Sequence, residues 1–277
     1  MQLLINSVRI AVAAGLLLAT VGAAIAQPWG GIAPWPPATV QAPDLPIIDR
    51  SAEIAPVPAT LSLPRVATRP AGETFGAFGS YAISSRKLPA AAKWRTVSAA
   101  NYSLDAGSSG LAKRLRGAVR AASGQGVGAQ LRAVNSAVNK HLNYASDQQV
   151  WGTGDYWATP AEIVSRGYGD CEDFAITKYW LLRGLGYQPE QLQLVVLLDT
   201  RSRLYHAVLA VHANGQRYIL DNLSAKVRTD DTFANYLPIM SFVGDRSFIH
   251  GFKSGRSDVA QLPNDLSLVL PGNGNGN

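Results

Sequence analysis

The chain has 277 residues and a formal net charge of +6 at neutral pH, from 25 basic and 19 acidic side chains. Because 47% of the residues are hydrophobic and only 16% are charged, a wholly disordered chain is excluded, and the length allows one domain with a sizeable core plus flanking segments. The basic residues are spread along the chain, so we expect no nucleic-acid partner.

The first 26 residues have the features of a secretory signal peptide. Arg9 provides a positive charge, residues 10–21 form an apolar run too short for a comfortable membrane span, and Ala24 and Ala26 are small residues before Gln27. An uncleaved N-terminal anchor is the alternative interpretation. We predict a periplasmic or secreted protein.

Proline content divides the rest of the chain. Ten of the sixteen prolines lie between residues 28 and 70, which predicts a Pro-rich disordered leader over 27–74. The folded domain is expected over 75–262. Residues 263–277 end in alternating Gly and Asn, which indicates a flexible tail.

Helices are predicted first and strands after them. Two amphipathic helices fall within 111–142, and the first of them carries basic side chains that are expected on a solvated outer face, a lipid or partner surface being the alternative. Thr159, Pro160 and Glu162 form the start signal of a third helix, which ends near Gly167. A fourth begins at about Asp170 and ends at Gly184–Gly186.

Three apolar runs, 192–198, 206–212 and 218–220, are predicted to be strands. Asn214-Gly215 separates the last two, and this pair between apolar runs is a strong hairpin signal. Helices followed by antiparallel strands predict an α+β fold.

Cys171 is the chain's one cysteine, so an internal disulfide is excluded. A buried structural thiol is one interpretation. A nucleophile is the other, because Cys171 falls in the first turn of the fourth helix, where unpaired N–H groups and the helix dipole favour an anion. We therefore expect a lowered pKa for this thiol, and the same N–H groups could stabilise a developing oxyanion.

The predicted hairpin indicates which histidine could serve as the base. With a two-residue loop, Val208 faces Asp221 across the strands, and His206 lies on the same face as both. An imidazole beside a carboxylate is the arrangement that fixes a catalytic tautomer. We predict His206 as the general base and Asp221 as the residue that orients it.

Two other histidines compete for this role. His212 lies beside the turn with Arg217 as its expected partner, and an arginine is a poor orienter of a base. His250 has no acidic partner close in sequence. Both are expected to be structural.

Three acids, Asp170, Glu172 and Asp173, surround the cysteine. Acids favour helix N-termini, so capping explains them. A hard-cation site built from carboxylate oxygens explains them equally well, since a bound cation would neutralise charges that otherwise raise the pKa of the thiol. The residues alone do not decide between the two.

Five blocks of the sequence resemble the bacterial transglutaminase-like cysteine proteinases, a family that includes LapG-like periplasmic proteases. The blocks are residues 144–151, 155–162, 167–173, 206–210 and 220–223. The resemblance covers roughly 80–255. It implies a papain-like or transglutaminase-like core with N-terminal helices packed on an antiparallel sheet. It also implies a Cys-His-Asp triad, which falls on Cys171, His206 and Asp221.

The resemblance extends to metal, substrate and partners. LapG-like members bind calcium through the acids beside the cysteine, which correspond to Asp170 and Glu172, so Ca²⁺ is the expected cofactor. Those members cut a large surface adhesin and thereby release biofilm cells, and an inner-membrane receptor controlled by a cyclic dinucleotide sequesters them. We therefore expect a protein substrate and such a receptor as partners.

Three functions remain open from the sequence. The first is a calcium-assisted cysteine endopeptidase. The second is an acyl transferase of the transglutaminase type, in which an amine replaces water. The third is a non-catalytic binding module that keeps the fold.

Overall fold

The computed structural model describes residues 76–103, 107–252 and 262–272. The predicted signal peptide and Pro-rich leader lie outside these residues, as do the last five residues of the chain. Within the described part, no helix is both long and apolar enough to cross a membrane.

The described residues form six α-helices, most of them before the main strands. They are α1 (Ala91–Ser98), α2 (Gly110–Ala122), α3 (Val127–His141), α4 (Asp147–Val150), α5 (Pro160–Arg166) and α6 (Cys171–Gly184). The buried positions of α2 and α3 include Leu111, Leu115, Leu131, Val134 and Val138, which confirms the predicted amphipathic spacing.

Seven strands form one antiparallel sheet. In chain order they are β1 (Tyr81–Ser84), β4 (Leu192–Asp199), β5 (Leu204–Ala213), β6 (Gln216–Leu220), β7 (Arg228–Thr229), β8 (Tyr236–Val243) and β9 (Arg246–Gly251), and their spatial order is β1-β9-β8-β4-β5-β6-β7. Two short strands, β2 (Asn143–Tyr144) and β3 (Tyr168–Gly169), pair in parallel beside the N-terminus of α6.

The sheet is covered on both faces at its centre. Leu194 and Val196 of β4 belong to the main core, which also contains buried residues of α2, α3, α5 and α6. Val195 and Leu197 belong to a smaller cluster on the opposite face, with Phe78 among its members. Helices packed on an antiparallel sheet confirm the predicted α+β class.

Local sequence signals account for the approach to α6. Glu162 Oε2 accepts the N–H of Thr159 at 2.8 Å, Pro160 begins α5, and Gly167 ends it in the left-handed region at φ 76°. The chain then crosses β3 and enters α6 with Cys171 as its first helical residue. The predicted helix boundaries are confirmed here.

The β5–β6 hairpin has the predicted register. Ala213 pairs with Gln216 and Leu209 with Leu220, and the two loop residues Asn214 and Gly215 both have positive φ. Positive φ at both positions is the backbone of a type I′ turn, which suits the twist of a two-residue hairpin. The strand ladder ends at Leu220, so Asp221 is the first residue beyond it.

The C-terminal segment differs from its predicted flexibility. Val269 and Pro271 are buried, and Leu266 packs against the main core. The described part of the predicted flexible tail over 263–277 therefore lies against the domain, because these apolar side chains have a core to contact.

Candidate active site

His206 and Asp221 form a buried hydrogen-bonded pair. The Nε2 atom of His206 lies 2.9 Å from Oδ1 of Asp221, and the hydroxyl of Tyr236 donates to Oδ2 of Asp221 at 2.7 Å. The backbone N–H of Leu223 adds a third hydrogen bond, to Oδ1, at 2.9 Å. The carboxylate is thus fixed from β8 and from its own loop as well as by the imidazole.

The electrostatics of this pair define the proton positions. Burial alone would raise the pKa of Asp221, but the hydrogen bonds and charge of His206 and the other donors outweigh it and lower the pKa to about 2. An ionised carboxylate only accepts hydrogen bonds, so Nε2 of His206 carries the proton. Nδ1 is then the ring nitrogen left to take up another proton.

The thiol of Cys171 lies against the same strand. Its Sγ accepts the backbone N–H of Ala207, the residue after the histidine, at 3.3 Å. The thiol also contacts Oε2 of Glu172 at 3.3 Å. The N-terminus of α6 and the start of β5 therefore bring the cysteine and the His206–Asp221 pair to one place.

Burial and the neighbouring acids raise the pKa of the thiol, in opposition to the lowering expected from the helix N-terminus. Burial is the largest cause, because Cys171 is only 1% exposed, and the neighbouring charge of Asp170 adds to it. The hydrogen bond from Ala207 acts in the opposite direction but does not compensate. Desolvation and the adjacent acids thus outweigh the helix N-terminus.

A small cavity joins the predicted catalytic residues. Its volume is about 100 Å³, and Cys171 and His206 both line it. Its other walls come from the β4–β5 connection, the loop after Asp221, and two more distant residues. The lining is completed by Tyr144, Asp199, Ser202, Leu204, Tyr205, Asn222, Leu223 and Gly272.

Buried acids lie directly beside this cavity. Carboxylate oxygens of Asp147, Asp170 and Asp173 lie within 4.8 Å of one another, and so do those of Asp147, Asp155 and Glu172. Lys93 forms an ion pair with Asp155. The two predicted metal ligands, Asp170 and Glu172, therefore belong to overlapping groups that share Asp147.

Many oxygens of this cluster lack donors. Five are buried with no hydrogen-bond partner among the described residues: Asp147 Oδ1, both oxygens of Asp170, Glu172 Oε1 and Asp173 Oδ2. Asp170 occupies the N-cap position of α6, yet its side chain makes no capping hydrogen bond. Helix capping therefore leaves oxygens of this cluster unpaired, and unpaired anionic oxygens are what a hard cation such as Ca²⁺ takes as ligands.

The pKa values of these acids are raised, because their carboxylates are buried close together. Burial raises the pKa of Asp170 to about 7 and that of Asp147 to about 6. Burial, followed by the charge of Asp170, also raises the pKa of Glu172 and of Asp173. A divalent cation would offset this charge, so the residues present fit the ion that the sequence predicted.

Two residues of the site were missed by the sequence reasoning. Tyr236 and Asp147 come from other elements than the residues they contact, and no apolar periodicity or hairpin signal marks either of them. Asp147 follows Ser146, the N-cap of α4. An acid in the first turn of a helix is common, so Asp147 does not stand out in the sequence as a site residue.

The competing histidines have other partners. His212 contacts Gln193 Oε1 at 3.0 Å and accepts from Arg217, as its predicted pairing required. His250 lies between the hydroxyls of Ser80 and Ser241, at 2.6 and 2.7 Å. Neither histidine lines the cavity at Cys171.

Comparison with known proteins gives a family match. The family model described as bacterial transglutaminase-like cysteine proteinase BTLCP matches residues 112–241, a range that contains Cys171, His206 and Asp221. Members of this family are cysteine peptidases. No match is found among curated proteins.

Solved structures of Legionella pneumophila LapG are also similar. One is 27% identical, with 60% of this chain and 94% of that chain covered and a TM-score of 0.46. The calcium-bound form is 27% identical, with 60% and 92% covered and a TM-score of 0.45. The EGTA-treated form is 26% identical, with 60% and 95% covered and a TM-score of 0.45.

Proposed function

Since this chain belongs with the bacterial transglutaminase-like cysteine proteinases, we propose that it is an endopeptidase whose nucleophile is Cys171, whose general base is His206 and whose orienting residue is Asp221. One observation carries the proposal. His206 bonds to Asp221 at 2.9 Å, while the N–H of the next residue, Ala207, contacts the sulfur of Cys171 at 3.3 Å.

Each group has a defined task in peptide cleavage. Asp221 stays ionised, accepts a hydrogen bond from the Nε2–H group and holds the ring so that Nδ1 can accept the proton of the thiol. The sulfur of Cys171 then attacks the substrate carbonyl, and the N–H groups at the start of α6 stabilise the developing oxyanion. His206 returns the proton to the leaving amine, and water, with His206 as base, releases the acyl group.

We also propose that activity depends on Ca²⁺ held by Asp147, Asp170, Glu172 and Asp173. The support is the set of buried carboxylate oxygens without donors among the described residues. When bound, the ion supplies positive charge beside the cysteine. With that charge present, the acids no longer oppose ionisation of the thiol, and the raised pKa of Cys171 falls.

Location, substrate and partner are proposed from the sequence. Residues 1–26 support export to the periplasm or beyond, which N-terminal sequencing of the mature protein at Gln27 would test. The family resemblance supports a large surface adhesin as substrate and an inner-membrane receptor as regulator. Comparing proteins released from cells that carry wild type or Cys171→Ala tests the adhesin, and co-purification of the receptor tests the regulator.

The chemical proposal is tested by trapping the acyl-enzyme. A peptide ester that acylates thiols should add its acyl mass to Cys171 in wild type and to no residue in Cys171→Ala, as read by mass spectrometry. An added primary amine then separates hydrolysis from transfer, because a transferase would give the amide product. Acylation at an unchanged rate in Cys171→Ala would overturn the assignment of the nucleophile.

A further inference from the structure

The described end of the chain, residues 262–272, is anchored to the domain close to the active site. Val269 is 5% exposed and belongs to the main core, and Leu262 and Leu266 pack against that core. Pro271 is buried two residues later. The segment is therefore held by apolar contacts up to Gly272.

Gly272 reaches the cavity of the catalytic residues. The hydroxyl of Tyr144 donates to the carbonyl oxygen of Gly272 at 3.2 Å. Tyr144 and Gly272 line the same cavity of about 100 Å³ as Cys171 and His206. A peptide carbonyl of this chain thus lies where the cavity opens beside the nucleophile.

The fit at Gly272 requires glycine. Its φ of +79° lies in the left-handed region, which side chains rarely adopt. A Cβ at this position would lie 2.1 Å from Oδ2 and 2.9 Å from Cβ of Asp170, which is itself completely buried. Any larger residue would have to leave this place or displace Asp170.

The cysteine and the histidine are both buried in this arrangement. Cys171 is 1% exposed and His206 is 6% exposed. A cavity of about 100 Å³ is too small for a peptide, since ligand pockets usually have ~300–1,000 Å³. One wall must move before a peptide bond can approach Sγ. Gly272 lines the cavity and belongs to a segment whose described residues form no strand or α-helix.

We propose that residues 262–272 occupy part of the substrate groove and compete with the substrate for it. When the substrate is bound, the hydroxyl of Tyr144 donates to a carbonyl of the substrate instead of the carbonyl of Gly272. The competition with a substrate rests on the proposed function. Its first test does not, because the accessibility of Cys171 is measurable without any peptide cleavage.

Two neighbouring residues give a matched pair of variants in the full-length protein. Val269 is buried, whereas Leu268 is 64% exposed. Val269→Asp puts a charge into the core and should expel the segment, because an unpaired buried carboxylate is strongly disfavoured. Leu268→Asp adds the same charge on the surface and should leave the segment in place.

The readout is the rate of alkylation of Cys171 by iodoacetamide at one pH, in calcium and again in chelator. We expect Val269→Asp to react about tenfold faster than wild type or more, which corresponds to a shift of ~1.4 kcal/mol in the closed state. Leu268→Asp should react at the wild-type rate. Equal rates in both variants would overturn the proposal.

Gly272→Val provides the same test without placing a charge in the core. It should also accelerate alkylation, because a side chain at this position does not fit beside Asp170 and the end of the segment has to move away. If Gly272→Val and Val269→Asp both leave alkylation unchanged, the segment does not cover the cysteine. If they accelerate alkylation and peptide cleavage is still absent, the peptidase proposal fails and the covering role stands.

The role of Tyr144 is tested in the opened protein. In the Val269→Asp background, Tyr144→Phe should raise KM for a peptide substrate about fivefold, the loss expected for one hydrogen bond of ~1 kcal/mol. Alkylation of Cys171 in that background should stay unchanged, because the segment is already displaced. An unchanged KM would show that Tyr144 holds only the C-terminal segment.

Discussion

Tyr236 donates its hydroxyl to Oδ2 of Asp221 over 2.7 Å, so a residue of β8 fixes the carboxylate that orients His206. The hydroxyl and the imidazole approach different oxygens of one carboxylate. The ring of Tyr236 also lies edge-on to that of His206, with centroids 6.0 Å apart. The proposed triad therefore has a fourth side chain that holds its carboxylate in place.

Tyr236→Phe should lower kcat while leaving the fold intact. Loss of a hydrogen bond to a buried charge should reduce the free energy of unfolding by ~1.5–3 kcal/mol. It should also reduce kcat about tenfold, the equivalent of ~1.4 kcal/mol in orientation of the base. Steady-state kinetics with thermal unfolding measures both. Tyr218→Phe, in β6, is the control. An unchanged kcat in Tyr236→Phe would contradict the positioning role.

Asp147→Asn should have opposite effects on stability with and without calcium. In chelator the variant should melt at a higher temperature than wild type, because one of several crowded, donor-poor carboxylates is removed. In calcium it should melt at a lower temperature, since a ligand is lost and the Kd for Ca²⁺ rises about tenfold or more.

Calorimetric titration and thermal scans measure these two effects. Asp231→Asn changes an exposed acid by the same chemistry and is expected to alter neither quantity. An Asp147→Asn variant that binds Ca²⁺ with the wild-type Kd would place the ion elsewhere.

Lys178→Met should stabilise the protein at neutral pH. Lys178 is fully buried on α6, and its Nζ has no hydrogen-bond partner among the described residues. Burial lowers its pKa to about 7, with the charge of Asp221 acting in the opposite direction. Between pH 7 and the unfolded-state value near 10.4 the unfolded chain binds the extra proton, so stability rises with pH over that window.

The Lys178→Met variant should lack this rise and should gain up to about 5 kcal/mol of unfolding free energy below pH 7, from a shift of roughly 3.5 pH units. Chemical denaturation from pH 6 to pH 10 measures it. Lys113→Met, at an exposed position of α2, should keep the wild-type pH dependence. The same dependence of unfolding free energy on pH in wild type and in Lys178→Met would contradict the lowered pKa of Lys178.

Much of the site follows from local sequence. Asn214-Gly215 defines a hairpin length of two, and this length alone puts His206 and Asp221 on one face. Thr159, Pro160 and Gly167 likewise define where α5 begins and ends, and hence where Cys171 enters α6. These signals act over a few residues, so no knowledge of tertiary contacts is needed.

The remainder depends on contacts between distant segments. Strand β8 contains Pro238, which usually argues against a central strand because proline has no N–H to donate. The register of β8 against β4 shifts between Val196 and Leu197, which face Met240 and Pro238, so a bulge accommodates the proline. Tyr236 reaches Asp221 only because this irregular strand is next to β4, and no periodicity in the sequence indicates that.

The sign of the shift in the pKa of the Cys171 thiol does not follow from local sequence. A helix N-terminus favours an anion, and the sequence shows that helix start clearly. The competing quantities are burial of Cys171 and the orientation of the neighbouring carboxylates, and both are set by packing. The sign of the shift therefore required the structure.

The most direct test of the account is cleavage of a proteome-derived peptide library in the presence of calcium. New N-termini are counted by mass spectrometry after incubation with wild type, Cys171→Ala or Asp221→Asn, each verified as folded. We expect a defined set of cleavages with wild type, none with Cys171→Ala, and the same set at a much lower rate with Asp221→Asn. The same cleavages at the same rate from Cys171→Ala would contradict the Cys171–His206–Asp221 triad.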